Sequence, residues 1–122
     1  MHLVIGPHGA GKKDFLFSQL GFIPEQIAFS LEDAEQKPVL ADLHLQVRRL
    51  LEQGKDPDKA VAALLDRRTD LVILCDEVGG GIVPMEPLER RYRDTVGRIC
   101  CTIARRAERV DRILVGLPMR LK

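Results

Sequence analysis

Short apolar runs, each ended by glycine, proline or charged residues, recur along the chain at the length of buried strands. The clearest is Asp70–Asp76 (DLVILCD), whose continuous apolar character is typical of a strand buried on both faces of a parallel sheet. The other predicted strands are His2–Ile5, Gln26–Ser30, Val39–Leu43, Val110–Val115 and the terminal Met119–Lys122. We expect Gly116-Leu117-Pro118 to turn the chain between the last two strands.

Segments with apolar residues at helical spacing separate these strands. The predicted helices run from Lys12 to Leu20, from Leu43 to Gly54, from Pro57 past Leu65, and from Pro87 to about Glu108. In the second helix, Leu43, Val47, Leu50 and Leu51 form the apolar face, and Arg48 and Arg49 are expected in solvent. Asp56 is the expected cap of the third helix, and glycines end the first two.

Strands that alternate with helices predict an α/β fold with a mainly parallel sheet, helices on both faces and a C-terminal antiparallel hairpin. A length of 122 residues suits one domain, so residues 1–122 are expected to form a single unit. Ligands of such sheets bind beyond the carboxyl ends of the strands. Two glycine loops, residues 6–11 and 79–81, leave from those ends and mark a candidate site.

Composition argues against two classes of partner. The chain has 19 basic and 18 acidic residues, and its one Tyr, four Phe and no Trp leave little to stack on bases, so no nucleic acid partner is expected. No run approaches the roughly 18 apolar residues of a membrane span, and no secretory signal is visible. These features favour a cytoplasmic location.

The three cysteines, Cys75, Cys100 and Cys101, lack the paired spacing of a zinc site and fit reduced thiols better than a disulfide framework. We expect Cys100 and Cys101 on a helix, one buried and one near the surface. Only scattered arginines near them would lower a thiol pKa, so a redox role is not the favoured interpretation.

The N-terminal segment MHLVIGPHGAGKK has the spacing of a phosphate-binding loop. In such loops glycines let backbone N–H groups turn toward an anion, and a lysine reaches the outer phosphates. We therefore assign Gly6, Gly9, Gly11 and Lys12 to phosphate binding, with Lys13 as an auxiliary positive charge. The alternative is a tight turn between a strand and a helix.

Lys13 occupies the position where such loops carry a Ser or Thr hydroxyl that coordinates Mg²⁺. An ammonium group cannot ligate a metal, so three alternatives remain open. The metal is held by water and other carboxylates, Lys13 itself neutralises phosphate, or the loop binds phosphate without transferring it. His8 is expected to be exposed rather than in contact with phosphate.

The segment CDEVGGGIVP places Asp76 and Glu77 at the end of a buried strand, where carboxylates can meet a metal-bound water or a substrate hydroxyl. The alternative is that one caps the loop and the other is solvated. Arginines follow, among them Arg91 and Arg93, and this charge density suits a polyanionic ligand. A solvated helix face explains some of these arginines equally well.

The stretch DEVGGGIVPMEPLERRYRDTVGR, with the later VGLPMRLK, resembles the C-terminal half of the adenosylcobinamide kinase/adenosylcobinamide-phosphate guanylyltransferase family of cobalamin biosynthesis. That family reads (N/S/D)EVGxGIVP, then RxFRDxxGR or RxYRExxGR, then a terminal G(I/L)PxxxK-like strand. VLADLHLQVRRLL also lines up with the family's LLDCLTLWLSNLL. The resemblance covers nearly the whole chain and is strongest over residues 70–97.

This resemblance implies a P-loop NTPase (RecA-like) three-layer fold and a kinase that moves a terminal phosphate from ATP or GTP to the aminopropanol hydroxyl of adenosylcobinamide. It implies nucleotide and corrinoid as ligands, Mg²⁺ as a cofactor and a homo-oligomer, since members are trimers. Asp42, Asp76 and Glu77 would then serve the metal or the substrate hydroxyl. Arg91 and Arg93 would serve the substrate or a subunit interface.

The chain also departs from the family. Members carry, between the second and third strands, a helix with the histidine that becomes guanylylated, whereas Leu31–Lys37 is short and has no histidine. The family's acid falls at Ala41, next to Asp42, and its threonine at His44. His44 is the remaining candidate acceptor, although a histidine on an apolar helix face is more often structural. We expect guanylyl transfer to be absent or weak, and a non-catalytic nucleotide- or corrinoid-binding module is the competing hypothesis.

Overall fold

The computed structural model describes residues 1–79 and 86–122. The strands are β1 (His2–Gly6), β2 (Ile27–Ala28), β3 (Val39–Leu40), β4 (Val72–Asp76), β5 (Arg109–Leu114) and β6 (Leu117–Arg120). The helices are α1 (Lys12–Ser18), α2 (Leu43–Glu52), α3 (Pro57–Arg67) and α4 (Pro87–Arg106), and 3₁₀ turns occupy Pro24–Gln26 and Asp33–Glu35. Of the predicted glycine loop 79–81, residues 80 and 81 lie outside the described residues, as does Pro84.

All the strands above join one sheet in the order β2-β3-β4-β1-β5-β6. Strands β1 to β5 pair in parallel, and β6 returns antiparallel to β5. The predicted α/β class, with its mainly parallel sheet and C-terminal hairpin, is confirmed. The single domain over residues 1–122 stays a prediction.

Side chains alternate between the two faces of each strand, and each face has its own apolar core. On one face, Phe15 and Leu16 of α1 pack with Val4, Leu74 and Ile113 of the sheet. On the other face, α2, α3 and α4 cover the residues that point away from α1, including Leu3, Ile73 and Cys75. The sheet therefore lies between two helical layers, as predicted.

Several element boundaries differ from those predicted. Strands β2 and β3 pair over two residues only, because Asp42 adopts a left-handed conformation (φ 53°) and the chain turns into α2 there. The terminal turn begins at Val115 rather than Gly116, and β6 begins two residues earlier than predicted. Val115 and Gly116 both have positive φ (45° and 76°), which suits a two-residue hairpin turn and lets β6 begin at Leu117.

The face of α2 also differs from the prediction. Arg48 is not simply solvated, because it forms an ion pair with Glu89 of α4 and its guanidinium lies 4.9 Å from the ring centroid of Tyr92. Leu50 is only half-buried, whereas Gln46 is buried and donates from Nε2 to the Phe29 carbonyl at 2.6 Å. Polar contacts of Gln46 and Arg48 with neighbouring segments, as well as apolar spacing, therefore orient α2.

On α4, Cys100 is half-buried and Cys101 is exposed. Among the helices of residues 1–79 and 86–122, none is long and apolar enough to cross a membrane.

Replacement of Gly6 by alanine should destabilise the fold, because a Cβ there would lie 2.5 Å from the Ile113 carbonyl oxygen of the adjacent strand. We expect Gly6→Ala to lower the free energy of unfolding by about 1–3 kcal/mol, as crowding of a packed core does. Gly97→Ala is the matched control, since a Cβ in that part of α4 meets nothing within 4 Å. Because alanine favours helix over glycine, the control should raise the free energy of unfolding by about 0.5–1 kcal/mol in urea titrations. Equal effects of the two substitutions would contradict this packing.

Candidate functional site

The C-terminal hairpin packs against the loop between β1 and α1. Gly11 begins α1 with φ 100°, a conformation that L side chains rarely adopt. A Cβ on Gly11 would also lie 3.1 Å from the Cα of Gly116, and the Gly116 N–H donates to the Ala10 carbonyl at 2.7 Å. The β5–β6 turn thus packs directly on the predicted phosphate loop.

The Lys12 side chain lies folded back under this loop and is buried. Its Nζ donates to the Gly6 carbonyl at 3.1 Å and to the Pro7 carbonyl at 2.8 Å, and it lies 2.8 Å from Oδ1 of Asp76. An ammonium group has three N–H donors, so these three oxygens are enough to satisfy it. The lysine therefore joins the glycine loop to the end of β4.

Asp76 is the point at which the polar groups of the site meet. Its Oδ1 faces Lys12, and its Oδ2 lies 3.1 Å from Nδ1 of His8 and 3.3 Å from Nε2 of His44. Burial alone would raise the pKa of Asp76, but hydrogen bonds from Lys12 and His8 and the charge of the neighbouring groups lower it below its ordinary value. Asp76 is therefore a carboxylate at neutral pH.

His44 is buried at the start of α2 and has both ring nitrogens directed at Asp76. Its Nδ1 accepts the Asp76 backbone N–H at 3.1 Å, so the proton of the neutral ring is on Nε2, which faces the Asp76 carboxylate. Burial lowers the pKa of His44 by more than the Asp76 and Asp42 carboxylates raise it. This geometry makes His44 a residue that orients Asp76.

A cavity of about 540 Å³ opens above the loop and the end of β4. It brings together most of the residues predicted for the site: Gly9, Gly11, Lys12, Lys13, Asp42, His44 and Asp76. Gly6 lies beneath, at the end of β1, and supplies a carbonyl to Lys12. His8 lines the cavity and is 95% exposed, as expected, although it also contacts Asp76.

Lys13 lies at the rim of this cavity. Its Nζ is 5.5 Å from the ring centroid of Phe29, a distance at which a cation is attracted to an aromatic face. Phe29 is half exposed and follows the two-residue strand β2. Sequence analysis did not connect Phe29 with the site, because only the parallel pairing of β2 with β3 brings that strand end toward the loop.

Besides Gly6, three predicted residues lie outside the lining of this cavity. Glu77 turns to Arg112 of β5, with 3.1 Å between Oε1 and the guanidinium Nε. Arg93 donates from Nη2 to the Gly79 carbonyl at 2.6 Å, and Arg91 is exposed on α4. Glu77 directly follows β4, and consecutive residues of an extended chain point in opposite directions, which separates the Glu77 side chain from that of Asp76.

Asp42 and Asp76 line the cavity together with the exposed Asp14, and carboxylates suit a hard cation such as Mg²⁺. Within residues 1–79 and 86–122, no group of three or more His, Cys, Asp or Glu side chains is arranged to hold a metal ion. A magnesium ion at this site would therefore depend on nucleotide phosphates and water for most of its ligands.

The contacts of His44 predict how stability depends on pH. An unfolded histidine takes up a proton near pH 6.5, whereas the buried His44 ring resists protonation, so the free energy of unfolding should fall as the pH drops from about 7 to 5. In urea titrations at about pH 7 and pH 5, the free energy of unfolding of His44→Asn should fall by less than that of the wild-type protein. His8→Asn, which removes an exposed histidine, is the control and should retain the wild-type pH dependence. If the free energy of unfolding of His44→Asn fell with pH as steeply as that of the wild-type protein, His44 would not be a buried neutral ring.

Comparison with known proteins gives matches over different parts of the chain. The family model described as cobinamide kinase / cobinamide phosphate guanyltransferase matches residues 22–121. The bifunctional adenosylcobalamin biosynthesis protein CobP of Pseudomonas aeruginosa is 44% identical over 52 residues, which are 43% of this chain and 30% of that protein. The matched segment thus spans less than a third of that relative's length.

The family match begins after the glycine loop, so the interpretation of residues 6–12 depends on their spacing and geometry alone. The match nevertheless includes every strand from β2 to β6 and the long helix α4. Together with the sheet described above, it supports the predicted P-loop NTPase-like fold. Because it extends over most of the chain, the protein belongs to the cobinamide kinase / cobinamide phosphate guanyltransferase family.

Proposed function

We propose that this protein acts in cobalamin biosynthesis or corrinoid salvage as a kinase, transferring the terminal phosphate of ATP or GTP to the aminopropanol hydroxyl of adenosylcobinamide. The observation that carries the proposal is the position of Lys12. Its ammonium lies between the glycine loop and Asp76 beside a cavity of about 540 Å³. A cation placed there can move to the outer phosphates of a nucleotide held by the loop.

In this mechanism the triphosphate displaces Lys12 from Asp76. The Lys12 ammonium then neutralises charge on the transferred phosphoryl group, while backbone N–H groups of the loop contact the other phosphates. Asp76 loses a partner that lowers its pKa, so its carboxylate becomes a better acceptor for the substrate hydroxyl. His44 keeps Asp76 in place through its hydrogen bond with the backbone N–H.

Magnesium, when bound, would supply further neutralisation of the phosphate charge. Asp42 and Asp76 would hold it through water, and Lys13 would add charge at the rim in place of the usual hydroxyl. The contact between Lys13 and Phe29 keeps this ammonium near the cavity without tying it to a carboxylate.

We propose that the guanylyl transfer of the family is absent or weak in this protein. The connection between β2 and β3 contains a single 3₁₀ turn, Asp33–Glu35, and has no histidine. Both nitrogens of His44 face Asp76, so neither is free to attack a nucleotide phosphorus. A histidine acceptor needs an unprotonated nitrogen directed at the substrate.

The second candidate is a nucleotide- or corrinoid-binding module without catalysis. Lys13 favours it, because the hydroxyl that would ligate Mg²⁺ is missing.

The proposed oligomer applies to either candidate. Its support is a strip of exposed apolar side chains on the edge strand β6, made by Leu117, Met119 and Leu121 of the C-terminal segment.

Lys12→Met should abolish the kinase reaction and weaken nucleotide binding by about 10- to 100-fold, the effect of losing a charge-assisted hydrogen bond. Lys55→Met is the matched control, because Lys55 is an exposed lysine after α2 that does not line the cavity. The assay is mass spectrometry of adenosylcobinamide after incubation with protein, Mg²⁺ and ATP or GTP, together with calorimetric titration of each nucleotide.

The outcomes of these two measurements separate the candidates. Phosphorylated corrinoid with wild type and Lys55→Met, and none with Lys12→Met, supports the kinase. Nucleotide binding without any phosphorylated corrinoid overturns the kinase and leaves the binding module. Absence of nucleotide binding by the wild-type protein overturns both the kinase and the nucleotide-binding module.

Lys13→Ser tests whether Lys13 replaces a metal ligand. Because serine restores the hydroxyl that coordinates Mg²⁺ in such loops, we expect the affinity of the variant for GTP or ATP to increase several-fold on addition of Mg²⁺. The wild-type protein should show a smaller magnesium effect in the same calorimetric titration. An identical response of the two proteins would show that position 13 does not contact the metal.

A further inference from the structure

Two cysteine thiols from distant parts of the chain are in contact beneath the site. Cys75 lies in β4 and is fully buried, whereas Cys100 lies on α4 and is half-buried. Their Sγ atoms are 3.6 Å apart, which is van der Waals contact between sulfurs. A disulfide has an S–S distance of about 2.05 Å, so a displacement of about 1.5 Å separates this contact from a covalent bond.

Cys75 is directly linked to the catalytic candidate Asp76. It precedes Asp76 in the chain, and its Sγ donates to the Asp76 carbonyl oxygen at 3.4 Å. The Asp76 N–H donates to His44, and the Asp76 carboxylate contacts Lys12. A covalent change at the Cys75 sulfur therefore acts on the backbone that positions the site.

A small reagent can reach the pair through Cys100. Cys100 lines an apolar groove of about 490 Å³ between α4 and the C-terminal strands, together with Ala104, Leu121 and Cys101. Cys75 does not line this groove, so Cys100 is the thiol that an incoming molecule meets first. Cys101 is exposed on the next position of α4 and can react independently.

We propose that Cys75 and Cys100 are a modification site, which forms a reversible disulfide by exchange with a small disulfide of the glutathione type and thereby alters nucleotide binding at Asp76. The effect on nucleotide rests on the proposed function, whereas formation of the disulfide does not. The contact between the two thiols lowers the pKa of Cys100, whereas the same contact and burial raise the pKa of Cys75, which makes Cys100 the first attacking sulfur.

The exchange has two steps. The Cys100 thiolate attacks one sulfur of the oxidised reagent, forms a mixed disulfide and releases the first reagent thiolate, which takes up the proton lost by Cys100. The Cys75 sulfur then attacks the Cys100 sulfur and displaces the second reagent thiolate, which leaves with the Cys75 proton. The two protein thiols are oxidised, and one reagent disulfide is reduced to two thiols.

Oxidation removes the Cys75 thiol proton from the Asp76 carbonyl and draws β4 and α4 together at this point. Because strand β4 carries Asp76 at its end, we expect the contact between Asp76 and Lys12 to shift. The measurable result is a nucleotide dissociation constant that changes by at least about threefold, since small displacements in a packed interior are transmitted to neighbouring groups.

The first experiment uses the full chain with Cys101→Ser, incubated with oxidised glutathione and then alkylated under denaturing conditions with iodoacetamide. We expect intact mass spectrometry to show the loss of two hydrogens and no alkylation, with a cross-linked peptide pair containing Cys75 and Cys100. Dithiothreitol should reverse the change. The control Cys75→Ser/Cys101→Ser should instead keep glutathione on Cys100.

Two alkylated cysteines after oxidation, or a stable glutathione adduct on the Cys101→Ser protein, would overturn the proposal.

The second experiment titrates GTP and ATP into the reduced and oxidised Cys101→Ser protein. A disulfide that leaves both dissociation constants within experimental error would overturn the coupling to the site. If the reduced protein binds neither nucleotide, the proposed function fails, while the mass measurement still decides whether the disulfide forms.

Discussion

The buried contact between Lys12 and Asp76 is the interaction on which the rest of the site depends. Strands β1 and β4 are neighbours in register, with Gly6 opposite Asp76, so the glycine loop leaves the sheet beside this carboxylate. A buried ion pair stabilises a fold only when its remaining donors and acceptors are satisfied. Lys12 meets that condition through the Gly6 and Pro7 carbonyls, and Asp76 meets it through His8 and His44.

Elements that are distant in sequence support this contact from opposite sides. The β5–β6 turn binds the loop at Ala10, and Ile113 of β5 leaves no room for a side chain on Gly6. On the other side, His44 at the start of α2 fixes the Asp76 backbone, and the thiol of Cys75 donates to its carbonyl. The polar site is therefore attached to β4, β5, the β5–β6 turn and α2.

Apolar runs and glycine spacing in the sequence predicted the buried strands and the glycine loop, because both follow from backbone geometry. They also predicted that Lys12 and Asp76 lie at the same edge of the sheet. They did not separate Asp76 from Glu77, since that requires knowing which face of β4 meets the cavity. Nor did they place Arg48 against Glu89 or Cys75 against Cys100. Those contacts join distant elements and depend on how α2 and α4 pack on the sheet.

The role of Lys12 and Asp76 in nucleotide binding is tested most directly by a crystal structure of the protein with Mg²⁺ and a non-hydrolysable GTP analogue. We expect triphosphate density along residues 6–12, with the Lys12 ammonium turned from Asp76 to the outer phosphates and the metal near Asp42 and Asp76. Nucleotide bound elsewhere, with Lys12 still held by Asp76 and the loop carbonyls, would contradict that role.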